Sequence, residues 1–305
     1  MEITRQLIGE AAARIAPYVR LTPVLTLESG ALGLPGRLVL KLESLQPTGT
    51  FKIRGAYNLL LSREPEKVVA ASGGNFALAI SRAAARLGIE AVVWVPDTSP
   101  PEKVRLIEEE GADVRVVPGF YENALQASRR YVAEHGGLLA HAYDQPEVVA
   151  GAGTCGMEIM AQVPAATTVL AAVGGGGLIA GIAAMVKDDA RVVAVETDGT
   201  PTLHAARTAG YPVEVAVSGV AVSSLGAARI GGLAWEANRW VTDSLLVNDG
   251  AVFDAQRLLW QECRLVAEPG GATALAALVS GAYVPTANDT VVAIVSGANG
   301  LSPFS

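Results

Sequence analysis

The chain has 305 residues, of which 50% are hydrophobic, 17% charged and only 5% aromatic. That is far too apolar for a disordered chain, and it leaves a core built mostly of Ala, Val, Leu and Ile. A formal net charge of -7, from 23 basic and 30 acidic residues, argues against the broad basic face that nucleic acid requires, while leaving room for a local cationic pocket.

The elements follow in chain order. Met1-Glu2-Ile3-Thr4-Arg5 leads into a charged helical pattern, not a signal-peptide core. Val68 to Ala71 reads as a strand and Phe76 to Leu87 as a helix stopped by Gly88. Ala91 to Val95 is the next strand. Ser99-Pro100-Pro101-Glu102 reads as a capping box with proline just inside a helix that runs to Glu110. Val114 to Val117 is a strand and Asn123 to His135 a helix. Gly153 to Met160 looks helical, Thr168 to Val173 extended and Leu178 to Val186 helical. Val192 to Glu196 is a strand, Phe253 to Cys263 and Ala272 to Val279 are helices, and Val291 to Val295 is the last strand. This alternation predicts an α/β fold with parallel sheets flanked by helices. The length suggests about two domains.

The uncharged stretch from Ile159 to Val186 is long enough to span a membrane, but it contains Pro164 and four consecutive glycines. A buried strand, a tight loop and a buried helix account for it better. With two cysteines, Cys155 and Cys263, and no CxxC pair, a disulfide framework and a structural zinc site are not expected. The reading is a soluble cytoplasmic protein without membrane or nucleic-acid partners.

Three strands end in glycine-rich turns: Ser72-Gly73-Gly74-Asn75, Gly174 to Gly177, and Ser296-Gly297-Ala298-Asn299. Ligands of open α/β sheets sit at the carboxyl ends of strands, so three such turns could converge on one site. Gly174 to Gly177 has the form of a phosphate cradle, where amides approach an anion at a helix N-terminus. It is not a Walker loop, and a dinucleotide site stays open. Ser72 and the amides after it could hold a carboxylate, and the plain alternative is a helix cap by Asn75. Of the five lysines, Lys67, Lys103 and Lys187 read as solvated, and Lys41 lies in an apolar strand. Lys52 lies between a Gly/Thr turn and an apolar flank, where lost solvation would make its amine a usable nucleophile. The plain alternative is a surface lysine at the start of a helix. Glu268 reads equally as a local anchor or a solvated acid.

Taken together, Thr50-Phe51-Lys52-Ile53-Arg54-Gly55-Ala56, Ser72-Gly73-Gly74-Asn75, Gly174 to Gly177, Glu268-Pro269 and Ser296-Gly297-Ala298-Asn299 resemble, in order and over nearly the whole chain, the pyridoxal-phosphate-dependent serine/threonine dehydratase and serine racemase family of fold type II. Pro23, Asp144-Gln145-Pro146 and Gly151-Ala152-Gly153-Thr154 also look like that family. The resemblance implies two domains, each with a mainly parallel sheet: a larger cofactor-binding one of residues 1–66 and 145–305, and a smaller one of residues 67–144. It implies a small amino-acid substrate and a homodimer. Lys52 would carry pyridoxal 5′-phosphate as a Schiff base and act as general base. Gly174, Gly175, Gly176 and Gly177 would hold the phosphate. Asn75 would bond the ring 3′-oxygen, and Ser296 would face the pyridine nitrogen. A hydroxyl there suits prompt elimination better than a long-lived carbanion. Ser72, Gly73, Gly74, Asn75 and Phe76 would meet the substrate.

The implied activity is an ammonia-lyase that eliminates water from L-threonine or L-serine to give a 2-oxo acid and ammonia. Two positions depart from the family. Gly73 stands where the racemases have a second serine, which argues against two-base racemisation. Phe76 stands where histidine is usual, which would change the pocket wall. Thr202 replaces the acid expected six positions after Glu196, so no dedicated divalent-metal site is expected there. The alternatives are a dehydratase or β-replacement enzyme for a nonstandard 3-hydroxy amino acid, a serine racemase, and, from another class, a nicotinamide-dependent dehydrogenase built on Gly174 to Gly177.

Overall fold

The computed structural model describes residues 2–28 and 30–299; residues 300–305, the end of the expected larger domain, lie outside them. Among the described residues ten strands form two sheets. β1 (Val24–Thr26), β2 (Arg37–Leu42), β7 (Thr168–Ala172), β8 (Arg191–Thr197), β9 (Asp243–Val247) and β10 (Thr290–Val295) make a six-stranded sheet in the order β1-β2-β10-β7-β8-β9. Only the β1–β2 pair is antiparallel. β3 (Lys67–Ala71), β4 (Glu90–Pro96), β5 (Asp113–Val117) and β6 (Leu138–Ala140) make a parallel four-stranded sheet in the order β5-β4-β3-β6. The helices are α1 (Arg5–Ile15), α2 (Lys52–Arg63), α3 (Asn75–Leu87), α4 (Pro101–Glu109), α5 (Tyr121–His135), α6 (Pro146–Gln162), α7 (Gly177–Val186), α8 (Thr202–Ala209), α9 (Val222–Leu225), α10 (Gly232–Ala237), α11 (Asp249–Cys263) and α12 (Pro269–Val279).

Every residue of β7 and β10 is buried, as expected for parallel strands covered on both faces. Successive side chains alternate between two apolar layers. Val39, Val169, Val292 and Ile294 join the layer under α6 and α7, whereas Leu40, Leu170, Ala293 and Val295 join the layer under α11 and α12. A third cluster fills one face of the four-stranded sheet with Val68, Ala70, Val93 and Val95. It includes Ile53, Tyr57 and Leu60 of α2, so the helix that starts at Lys52 is anchored in that core although it precedes residue 67.

Two predicted details differ. α6 begins at Pro146, seven residues before the predicted start, with proline in its first turn. Its glycines lower helix propensity, but they let backbones touch: a Cβ at Gly151 would lie 2.6 Å from Arg54 O of α2, and one at Gly181 of α7 would lie 2.5 Å from Gly153 N. The capping box at Ser99 does not form either. The N-cap of α4 is Pro100, and no side chain accepts from the first turn. Gly88 ends α3 in the left-handed region, φ 69°, as its position predicts.

Candidate active site

The predicted convergence of the three turns is seen directly for two of them. Ser296 O, just past β10, accepts from Phe51 N at 3.1 Å, and Ala298 N donates to Gly49 O at 2.9 Å. These bonds fasten the last strand to the turn that precedes Lys52. Asn299 Nδ2 donates to Thr48 O (2.8 Å) and to Asn75 Oδ1 (3.1 Å), tying the end of β10 to the first turn of α3. Asn75 Nδ2 in turn donates to Glu268 Oε1 at 2.5 Å. Asn75 is therefore not the cap of α3. Gly74 is the N-cap, with no side-chain hydrogen bond. The first amides of a helix have no partner within it, so this end of α3 stays open to an anion.

The glycine run joins through Tyr143. A Cβ at Gly175 would overlap the Tyr143 ring, and one at Gly177 would lie 3.0 Å from Tyr143 backbone atoms. A Cβ at Gly174 would strike Leu225 at 2.8 Å, and one at Gly74 would meet Ser223 O at 3.3 Å, so α9 touches both loops. Gly176, the N-cap of α7, has φ 91°. Only glycine fits this cradle, and it opens at the N-terminus of a ten-residue helix. Thr202 Oγ1 braces its first carbonyl, Gly174 O, at 2.5 Å.

Lys52 lies at the start of α2, and its Nζ donates to Ala142 O at 2.9 Å, one residue before Tyr143. Burial lowers its pKa to about 8, against a partial upward pull from Glu268. A sizeable neutral fraction of this amine is thus present near neutrality, as a nucleophile or base needs. Lys41, by contrast, is fully buried and committed: its Nζ pairs with Glu158 (2.5 Å) and donates to Thr22 O (2.7 Å) and Gln162 Oε1 (2.9 Å). Ser296 is 6% exposed, and its hydroxyl has only a long contact with Gly270 O, 3.4 Å. An activated amine, a glycine cradle at a helix N-terminus, an open helix end and a weakly held hydroxyl fit pyridoxal phosphate, with Lys52, Gly174 to Gly177, Asn75 and Ser296 as the residues that would hold it.

Several readings change. Glu268 is buried rather than solvated. Burial raises its pKa, opposed by Lys103, Asn75 and Lys52, and its Oε2 has no hydrogen-bond partner among the described residues. It also explains Gly297, whose Cβ would overlap Glu268 Oε1. Lys103 is not solvated at its tip: Nζ is buried without a partner among the described residues, and its charge acts on Glu268. Phe76 is 2% exposed and belongs to the apolar cluster of the four-stranded sheet, so its ring faces core rather than a substrate pocket. Gly73 has a neighbour that its sequence does not reveal, since a Cβ there would overlap Ser99 Oγ. Glu196 is fully buried. Its carboxylate accepts from Leu203 N and His204 N, 2.8 Å each, with Thr202 and Ser244 hydroxyls at 3.1 and 3.3 Å. It caps α8.

Tyr143 and Ser99 were missed because neither lies in a glycine loop. The aromatic residue just before Asp144-Gln145-Pro146 was the available signal for Tyr143. His141, also near the site, accepts from Asp144 N at 3.0 Å through Nδ1, and burial lowers its pKa.

The family model described as pyridoxal-phosphate dependent enzyme matches residues 15–297, which sets aside the nicotinamide reading of the glycine run. The chain is 34% identical over 272 residues to an L-threonine ammonia-lyase of Thermotoga maritima, covering 87% of this chain and 67% of that one. It is 34% identical over 303 residues to an L-threonine ammonia-lyase of Geobacter sulfurreducens, covering 96% and 75%. The structure of maize serine racemase is similar with a TM-score of 0.92 and 32% identity, over 98% of this chain and 94% of that one. With the match running from the end of α1 through the turn after β10, and the cradle and amine it requires assembled between them, the chain belongs to the pyridoxal-phosphate-dependent enzymes of fold type II.

Proposed function

We infer that this enzyme is an ammonia-lyase that eliminates water from L-threonine or L-serine and releases ammonia and a 2-oxo acid. The observation that carries the reading is Lys52, an amine held near a pKa of 8 and framed by the three strand-end turns. The two threonine ammonia-lyases above support the substrate class. Bound pyridoxal phosphate supplies an electron sink for the bonds at the substrate's Cα.

The chain's own residues do the rest. Amides of Gly174 to Gly177 and the N-terminus of α7 would hold the phosphate. Ser72 Oγ and the open amides of α3 bind the substrate's α-carboxylate. Lys52, neutral and steered by Ala142 O, takes the Cα proton as general base. The Ser296 hydroxyl would offer the ring nitrogen of the cofactor a hydrogen bond without imposing a charge. The β-hydroxyl departs as water with the proton that Lys52 has taken from Cα, leaving an enamine whose hydrolysis consumes one water and releases ammonia and the 2-oxo acid.

The test is a panel of 3-hydroxy amino acids assayed for ammonia and 2-oxo acid, with chiral analysis of residual substrate. Stoichiometric ammonia and 2-oxo acid from L-threonine or L-serine is the expected result. D-serine formation outpacing ammonia release would replace this reading with racemisation. We further propose that residues 67–144 form the smaller domain and that the enzyme is a cytoplasmic homodimer, as the family resemblance implies. Among the described residues no helix is long and apolar enough to cross a membrane.

A further inference from the structure

We propose that Ser99 is a substrate-contacting residue, supplying from the β4–α4 turn the hydroxyl that position 73 of the carboxylate loop lacks. The inference rests on the reading of Ser72 to Asn75 as the carboxylate site and adds a residue that lies outside that loop in sequence. Gly73 follows Ser72 in this loop, and its backbone is not left-handed, so glycine is needed there for space rather than for conformation. The occupant of that space is specific. A Cβ at 73 would overlap Ser99 Oγ, with Ser99 Cβ 2.8 Å away and Pro96 Cδ 3.6 Å away.

The Ser99 hydroxyl therefore lies where a side chain from position 73 would begin. Three facts hold it there. β3 and β4 are adjacent parallel strands, paired through Ala71 and Trp94, so the turns at their carboxyl ends lie side by side. Ser99 N donates to Pro96 O at 3.0 Å, closing the turn. The hydroxyl is not spent on capping α4, whose N-cap is Pro100. Ser99 is half-buried, and its hydroxyl beside Gly73, next to the Gly74 N-cap of α3, gives the loop a second side-chain donor for a carboxylate.

The test uses the holoenzyme and two ligands without a β-leaving group, L-alanine and L-alaninamide, titrated by calorimetry. Ser99→Ala is expected to weaken L-alanine binding about tenfold, the scale of one hydrogen bond to a charged group, with little change for L-alaninamide. Gly73→Ser alone should lose L-alanine binding because its Cβ collides with Ser99. The transposed pair Gly73→Ser/Ser99→Gly should recover most of it, since the hydroxyl is restored from the other side of the same space. Unchanged L-alanine binding in Ser99→Ala would overturn the proposal. So would an equal loss for both ligands accompanied by a lower melting temperature, which would mark Ser99 as packing. Failure of the wild type to release ammonia from L-threonine and L-serine would overturn the lyase reading and leave the alanine comparison intact.

Discussion

Arg54 and Glu158 face each other through two hydrogen bonds, Nη1 to Oε1 at 2.7 Å and Nη2 to Oε2 at 2.8 Å. A second fork joins Arg54 to Glu43, with Nε to Oε2 at 2.7 Å and Nη2 to Oε1 at 2.8 Å. Burial pushes the Glu43 carboxyl up, but the Arg54 charge and hydrogen bonds outweigh it and hold Glu43 below its usual value. With Lys41 on Glu158, two cations balance two carboxylates. Arg54 is two residues past Lys52 in the same helix, so the network orients the turn that carries the amine. Arg54→Met would leave two carboxylates short of a cation in the interior, at a cost of about 3–5 kcal/mol. Arg54→Lys keeps the charge and loses both forks, so its loss should be intermediate. Urea unfolding of the three proteins measures this. A Met variant as stable as wild type would mean that the network does not hold α2.

Lys52→Ala should abolish turnover and covalent retention of the cofactor. Borohydride reduction of the wild type followed by peptide mass spectrometry should place the adduct on the Lys52 peptide. Lys41 has three polar partners within 2.9 Å and would have to give up all of them to form the adduct. An adduct on the Lys41 peptide would refute the assignment.

The depressed pKa of Lys52 has two pH signatures. Its folded value, about 8, lies below the 10.5 of the unfolded chain. Between those values the unfolded chain holds a proton that the native protein has released. Stability of the cofactor-free protein should therefore rise with pH across this window, and the full penalty of burying a charged amine applies below about 8. Capture of pyridoxal phosphate needs the neutral amine, so its rate should climb with a midpoint near 8. Stopped-flow absorbance at a series of pH values reads the midpoint. A midpoint near 10.5 would contradict a desolvated lysine.

Gly175→Ala should weaken retention of the cofactor more than it weakens the fold. Its Cβ would overlap the Tyr143 ring, and moving that ring disturbs the segment whose Ala142 carbonyl steers Lys52. Equilibrium dialysis of the cofactor, alongside thermal melts of the cofactor-free protein, separates the two effects. Adding Tyr143→Ala should restore part of the loss by clearing the space. A double variant no better than Gly175→Ala would mean that the overlap is not the cause.

Local signals were sufficient for much of the frame. Valine-rich runs such as Val291 to Val295 read as strands because parallel strands are apolar on both faces, and Gly88 read as a helix stop because it adopts φ 69°. The signals failed where tertiary contact overrides propensity. Ser99-Pro100-Pro101-Glu102 has every local feature of a capping box, yet the side of β3 on which β4 lies decides what Ser99 meets. Phe76 follows a binding loop in sequence, but one residue into a helix turns it about 100° away and into the core. Lys103 looks like a surface charge on a polar helix edge, and Glu268 reads equally as an anchor or a solvated acid. Both tips are buried nonetheless, and the Lys103 charge acts on Glu268 across 165 residues of sequence.

That pair leads to a prediction about the base itself. Glu268 is the charge that raises the Lys52 pKa against burial, and Lys103 is the largest of the three influences that keep the Glu268 carboxyl from rising further. Glu268→Gln should therefore move the pH midpoint of cofactor capture below 8, because nothing then opposes desolvation. The glutamine carbonyl can still accept from Asn75 Nδ2, so the loop contact is retained. Lys103→Met should act in the same direction through a different step, since without the cation burial pushes the Glu268 carboxyl up further. If Lys103 reaches Lys52 only through Glu268, adding Lys103→Met to Glu268→Gln should produce no further shift. Two single shifts with an additive double would show that Lys103 acts on Lys52 independently. An upward shift in Lys103→Met would mean that its positive charge repels the Lys52 ammonium directly, and the chain of influence from α4 through α12 to α2 would be wrong.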